Sequence, residues 1–415
     1  MKLTRPPRKV YSVSTKQRPL FKYFFIALVV AGVAVISMEV IVGLSRESAH
    51  PESTSSVSKP QPKSVARTAS ASTPEQCLAN LPLNFLVGQT LMVGIESDEL
   101  TRQASLFKQY NIGGGLLMSA PANPSGSSIE QFKNSAASLG VPVLISTDEE
   151  GGGVQRFSVL GTLPSPEQAA VTMSPAQIQN LVATHGEKLK AIGIDMILGP
   201  LADVAPAQGS AVLGDRIFSS NPQTVSTYAL AYVNGWEAAG LLPTLKHFPG
   251  MGSASGNTDN ESATTPPLSY LQQHDFLPYE GSINSTGTAV MVGNQTVPNW
   301  SNGPASLSPT VDAYLRGVLG YKNNLLITDS LNAVAVTNVM PEAQAVVAAI
   351  KAGNDIALFV EPSSTNLTTD QNLFAQMETN LENAVNNGTI PKSQLLTSVA
   401  RKLSAEHVSA CSLSS

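Results

Sequence analysis

Cysteine is nearly missing from this chain: its 415 residues include two, Cys77 and Cys411, beside five histidines. Numbers that small exclude a four-cysteine or Cys-His zinc site, and no clustered ligand spacing suggests a metal hydrolase, so no cofactor is expected. Charge is scarce too, at 13% of residues, and its signs are segregated. Seven basic residues, Lys2, Arg5, Arg8, Lys9, Lys16, Arg18 and Lys22, precede the first acidic one; the remainder holds 18 Lys and Arg against 30 Asp and Glu. An acidic body is a poor partner for a phosphate backbone, which argues against nucleic-acid binding. The glycine turn at Gly151 to Gly153 lacks the G-x-G-x-x-G and Walker spacings and has no Lys-Ser/Thr pair after it, so it is no phosphate cradle. What the chain does have is apolar content, 42%, sufficient for a sizeable core.

One long apolar run exists, Tyr23 to Met38, continued by Val40 to Leu44 after Glu39. A spanning helix needs about 20 apolar residues, and basic residues stay on the cytoplasmic side. The organisation expected is therefore a basic cytoplasmic tail (1–22), a transmembrane signal anchor (23–44), a Ser/Pro/Thr-rich tether (45–76) and a folded extracytoplasmic body (77–415). The alternative is a cleaved secretory signal, although the run is long for one and no convincing A-x-A site follows. Both readings export the body. In an oxidising compartment, Cys77 and Cys411, near the two ends of that body, read as one disulfide, with two unpaired thiols as the alternative. The membrane is thus an expected partner, and the body is expected to be a monomer.

Eight short aliphatic runs recur along the body: Leu86 to Ile95, Gly114 to Ser119, Val141 to Asp148, Asp195 to Val204, Leu241 to Phe248, Ala289 to Asn294, Asn324 to Asp329 and Asp355 to Val360. Helical periodicity fills many of the gaps, as at Pro175 to Ile192, Pro222 to Ala239, Ser308 to Leu319 and Pro341 to Ala352. Two more helices, Gln371 to Asn387 and Pro391 to Val408, follow the last run. Strands alternating with helices and buried on both faces predict an α/β fold, a single-domain (β/α)8 barrel of the TIM type. A doubly wound open sheet is the alternative. The barrel is favoured because Asp148, Asp203, Lys246 with His247, Asn294, Asp329 and Glu361 all fall at the C-terminal ends of their strands, where such barrels carry their sites.

Each of these residues has a bland role open to it. An aspartate ending a strand, such as Asp329, also serves as a helix cap or turn former. Lys246 can pair with a nearby aspartate, and His247 can be a core residue; neighbours on a strand point to opposite faces, so one of the two is expected to face a ligand. Asp148 suits accepting hydrogen bonds from hydroxyls, and Arg216 offers a bidentate fork or a surface salt bridge.

Together the segments Asp148-Glu-Glu-Gly-Gly with Val154-Gln-Arg156, Gly199-Pro-Leu-Ala-Asp203, Gly214-Asp-Arg216-Ile-Phe-Ser, Lys246-His-Phe-Pro-Gly-Met-Gly252, Pro304-Ala-Ser-Leu-Ser-Pro309 and Ile327-Thr-Asp329-Ser-Leu resemble the N-terminal barrel domain of family 3 glycoside hydrolases. The resemblance runs from about Leu81 to Val408 and is strongest to the single-domain bacterial β-N-acetylglucosaminidases. It implies a retaining hydrolase acting on terminal β-linked N-acetylhexosamine of a cell-wall-type glycan. Asp329 would be the nucleophile, and Asp148, Arg216, Lys246 and His247 would hydrogen-bond the sugar. Two departures stand out. Met251 replaces a histidine of the family pattern, and the loop's Asp-x-His acid/base dyad is matched by Asp259-Asn260-Glu261. A glutamic acid with a raised pKa can protonate a glycosidic oxygen, so Glu261 supported by Asp259 is the expected acid/base. The alternatives are a carbohydrate-binding barrel without turnover and a β-glucosidase of the same family.

Overall fold

The computed structural model describes residues 72–121, 126–206, 212–281, 287–360 and 367–414. The basic tail, the expected anchor at Tyr23 to Leu44 and nearly all of the tether lie outside them. Among the described residues, no helix is long and apolar enough to cross a membrane. The first described element, the helix Pro74–Leu78, starts three residues before the expected boundary at 77; Thr73 and Gln76 cap it reciprocally.

Eight parallel strands form the centre: β1 Leu91–Ile95, β2 Gly114–Leu117, β3 Leu144–Thr147, β4 Met196–Ile197, β5 Leu242–Phe248, β6 Ala289–Val292, β7 Leu326–Thr328 and β8 Ala357–Phe359. They hydrogen-bond in the order β8-β1-β2-β3-β4-β5-β6-β7. The remaining gap, between β7 and β8, is bridged in parallel at Ile327 and Ile356, and Thr328 N–H donates to the Ile356 carbonyl at 3.0 Å. The sheet is thus a nearly closed barrel of the TIM type, and the open-sheet alternative is set aside.

Alternation sorts the side chains. Met92, Leu116, Leu144, Met196, Met291, Ile327 and Leu358 pack together inside the barrel, while Val93, Leu117, Ile145, Val290, Leu326 and Phe359 belong to the outer core beneath the helices. The same period points the residues just beyond the strands, Asp148 and Asp329, into the C-terminal mouth.

The helices start where the sequence signals them. Ser174 and Gln177 form a capping box before Pro175–Ala191, and Asn221 accepts from two backbone N–H groups of Pro222–Ala238. These two helices pack closely because Gly235 has no side chain; a Cβ there would meet the Gln179 carbonyl at 2.8 Å.

Every strand is shorter than the run that predicted it, and two runs differ most. Residues Leu86 to Gly88 belong to the helix Leu83–Gly88, which buries Phe85, Leu86 and Val87; a short apolar run does not reveal by itself which element it forms. The run from Asp195 keeps only Met196–Ile197 as strand, because Pro200 has no N–H for the ladder, and pairing resumes only as a bridge between Leu201 and Lys246. Glu361 lies outside the described residues.

At the N-terminal side of the barrel, Cys77 and Cys411 are joined as a disulfide, with Cα atoms 4.9 Å apart across a sequence separation of 334.

Candidate active site

The C-terminal mouth opens as a cavity of about 380 Å3, lined by Asp148, Arg156, Arg216, Lys246, His247, Asn257, Asp259 and Asp329 above an apolar floor that includes Leu116, Leu198, Met291 and Leu358. A larger cavity, about 550 Å3, lies at the opposite mouth among Leu144, Asp195, Leu242, Leu325 and Glu406. Size does not decide between them. In a parallel barrel the strand ends that carry chemistry are the C-terminal ones.

One side of the upper cavity is a lattice of paired charges. Lys246 reaches Glu150 at 2.6 Å and Asp148 at 3.0 Å. Arg216 grips the fully buried Glu150 with Nε at 2.7 Å and Nη2 at 2.8 Å, and Arg156 Nη2 lies 3.3 Å from Asp148. Burial works to raise the Asp148 carboxyl and to lower the Lys246 ammonium, but their mutual attraction and the neighbouring charges outweigh it. Asp148 is held below the ordinary aspartate range and Lys246 above the ordinary lysine range. Both stay charged near neutral pH, as fixed hydrogen-bonding groups for a polar ligand.

His247 is fixed by Asp203, which is fully buried. Asp203 accepts from His247 Nδ1 at 2.8 Å, from the His247 backbone N–H at 3.1 Å and from the Met251 N–H at 2.6 Å. Nδ1 is thus the donor to Asp203, a bond that fixes the orientation of the ring. Simple alternation would have sent His247 away from Lys246, yet both line the cavity. The pairing of β5 with β6 slips by one residue between Leu245 and Phe248, a bulge that re-aims the strand end. The chain then turns at Gly250, φ +125°, where a Cβ would come within 2.5 Å of Asp275 Oδ1.

Asp329 stands apart from these pairs. Among the described residues its carboxylate takes one hydrogen bond, from the Ser330 N–H at 2.7 Å, and no cation pairs with it. Burial pushes this carboxyl above the ordinary aspartate range; nearby Asp259 adds to the shift, while His247, Ser330 N–H and Lys246 oppose it. A desolvated carboxylate with a vacant lone pair facing a cavity is what a nucleophile or base requires.

The loop after β5 separates the two expected acid/base residues. Backbone N–H groups of Ala335 and Val334 donate to the carbonyls of Thr258 and Asp259 at 3.1 and 3.4 Å, holding Asp259 beside the segment that follows Asp329. Asp259 lines the cavity together with Asn257. Glu261 does not. It is exposed, and its carboxylate folds back over Gly256, occupying the space a Cβ there would need. Of the two expected acid/base residues the structure thus brings Asp259 to the cavity and leaves Glu261 out of its lining: two residues past Asp259 the chain has turned outward.

Sequence reasoning missed the carboxylates that organise the site. Glu149 and Glu150 followed Asp148 in plain view, but nothing in a one-dimensional pattern distinguished buried acceptors from solvated ones. Among the described residues, no group of three or more His, Cys, Asp or Glu is arranged to hold a metal ion.

Comparison with known proteins agrees with this geometry. The family description "Glycosyl hydrolase family 3 N terminal domain" matches residues 84–405. The β-hexosaminidase LpqI of Mycobacterium tuberculosis is 34% identical over 361 residues, covering 84% of this chain and 89% of that protein. Its solved structure superimposes with a TM-score of 0.72 at 32% identity, over 81% of this chain and 97% of that one. A β-N-acetylhexosaminidase from Beutenbergia cavernae, at 26% identity, gives a TM-score of 0.70 over 80% of this chain and all (100%) of that one. With the family match spanning the whole barrel and named hexosaminidases alike over most of both chains, the chain belongs to glycosyl hydrolase family 3 and is a glycosidase.

Proposed function

We propose that this glycosidase removes terminal β-linked N-acetylhexosamine from cell-wall-type glycans with retention of configuration, through a covalent intermediate on Asp329. The observation that carries the reading is the contrast within one cavity: Asp148, Glu150 and Asp203 are tied to cations or N–H groups, while Asp329 keeps a free lone pair.

In this mechanism the sugar lies over the apolar floor, its hydroxyls bonded by Asp148, Arg156, Lys246 and His247 Nε2. Asp329 attacks the anomeric carbon; the bond to the leaving oxygen breaks, and Asp259 gives that oxygen its proton. Asp259, now a carboxylate, takes a proton from water as the water attacks the same carbon and releases Asp329. Two inversions give net retention. Asp259 replaces Glu261 in this role because it lines the cavity and Glu261 points away. Arg216, its fork held by Glu150, shapes the site.

The proposal extends to place of action: the body works outside the cytoplasmic membrane, held by the apolar segment Tyr23 to Leu44. The basic residues ahead of that segment and the disulfide between Cys77 and Cys411 support this. Fractionation of cells carrying the full chain tests it; recovery in the cytosol would contradict it.

The activity is tested by hydrolysis of 4-nitrophenyl N-acetyl-β-D-glucosaminide, with the product anomer followed by proton NMR. Release of the β-anomer first, abolished in Asp329→Ala, is the expected result. Initial release of the α-anomer would refute retention.

A further inference from the structure

We infer that Glu149 and His185 form a positioning pair that sets Arg156 against the bound sugar; this rests on reading the upper cavity as the sugar site. Glu149 is the first residue after Asp148 and is fully buried. It does not face the cavity. Its Oε2 accepts from the backbone N–H groups of Arg156 and Phe157 at 3.0 and 3.1 Å, and its Oε1 accepts from His185 Nε2 at 2.8 Å. One carboxylate thus ties the start of the glycine hairpin (Glu149–Gly151 paired with Val154–Gln155) to the residues that leave it.

His185 belongs to the helix Pro175–Ala191, in the layer outside the barrel. It is 3% exposed, its ring set edge-on to Trp236 at 6.3 Å. The helix gives the imidazole a rigid mount. Gln155, beside it, is held by Leu163 N–H and the Gly161 carbonyl at 2.9 and 2.8 Å. The hairpin base is therefore immobilised from the protein side, and Arg156 emerges from it into the cavity wall.

Arg156 has donors to offer there. Among the described residues its guanidinium makes one bond, to Asp148, and Nε is enclosed without a partner. An oxygen of the sugar is the chemical complement. If the hairpin base shifted, Arg156 would lose both Asp148 and the ligand, whereas Asp329 and Asp259, carried by other loops, would keep their places. The pair should therefore govern sugar affinity and leave the chemical step alone.

Kinetics on 4-nitrophenyl N-acetyl-β-D-glucosaminide read this directly in His185→Leu, Arg156→Ala, their double variant and Glu149→Gln. The loss of one charge-assisted hydrogen bond in His185→Leu should raise KM about ten-fold with kcat within about two-fold. Arg156→Ala should do the same, and the double variant should be no worse than Arg156→Ala alone, since both changes remove one interaction. Glu149→Gln keeps an acceptor oxygen for the two N–H groups but gives up the carboxylate that accepts from His185, and should raise KM less than His185→Leu does. An unchanged KM in His185→Leu, or effects that multiply in the double variant, would overturn the inference. If His185→Leu does not fold, His185→Met, which also lacks a donor but fills the ring's space, takes its place in the same cycle with the same two outcomes. Calorimetric binding of N-acetylglucosamine separates this inference from the catalytic reading. Sugar affinity that tracks Arg156 and His185 without turnover would sink the mechanism and keep the pair; turnover with affinity indifferent to both would sink the pair alone.

Discussion

Asp355 and Asp148 sit at opposite mouths of one barrel, and each receives two cations. Asp355 is fully buried; Arg316 and Arg401 bind it, and it also accepts the backbone N–H of Leu326 at 2.9 Å. Asp195, at the same mouth, repeats the arrangement with Lys133, Lys190 and the Ile145 N–H. These carboxylates seal the starts of strands. At the C-terminal mouth Asp148 is partly open to a cavity, its cations are themselves cavity walls, and it caps no backbone. There the charges orient one another instead of the sheet. The charges of the lower mouth hold the barrel together, and on the proposed mechanism the smaller, upper cavity is the one that takes the sugar.

The sharpest way to break this comparison is to remove Asp329. Turnover should fall by at least about 10^4-fold while thermal stability is kept or improved, because a desolvated carboxylate is removed. Next comes Asp259→Asn, which should lower kcat by about 10^2- to 10^4-fold for a poor leaving group and much less for an activated aryl glycoside. Glu261→Gln should stay within about two-fold of the original on both. The same variants sharpen the pH profile. Asp329 must be ionised to attack, and its pKa, raised chiefly by burial, puts the acid limb of kcat/KM above that of an ordinary aspartate, a limb that Glu261→Gln should leave in place.

At the lower mouth the readout is stability. Opening the disulfide with Cys77→Ser and Cys411→Ser releases a loop of sequence separation 334 and should cost up to about 5 kcal/mol in denaturant unfolding, with KM unchanged. The smallest expected effect is at Glu406, only 6% exposed and 2.9 Å from Lys402, where burial pushes the carboxyl up to about 7. Its folded pKa exceeds the unfolded value, so its contribution is fully present below about pH 4.5 and is lost as pH rises through about 7. Glu406→Gln should flatten that decline by about 2 kcal/mol between pH 5 and pH 8, measured by urea unfolding. Equal pH dependence in both proteins would contradict it.

Much of this was legible in the sequence because it depends on period. Met92, Leu116 and Ile327 alternate with outward neighbours, so Asp148 and Asp329 had to emerge at one mouth. The helix starts at Ser174-Pro175 and Asn221-Pro222 were readable because capping is local chemistry. What escaped was three-dimensional. A bulge in β5 turned His247 to the same side as Lys246. The burial of Glu149, Glu150 and Asp203 depends on partners 36, 66 and 44 residues away. The choice between Asp259 and Glu261 was set by where the loop is pinned, at Val334 and Ala335, which spacing alone does not encode.

The central claim, that Asp329 is the nucleophile of the upper cavity, is tested most directly by trapping its adduct. Asp259→Asn should slow hydrolysis of the intermediate more than its formation from an activated aryl N-acetyl-β-glucosaminide, so acid-quenched protein should gain the mass of one sugar residue. Peptide mapping should locate that sugar on Asp329. An adduct on another residue, or turnover in this variant by inversion with no adduct at any time, would contradict the account.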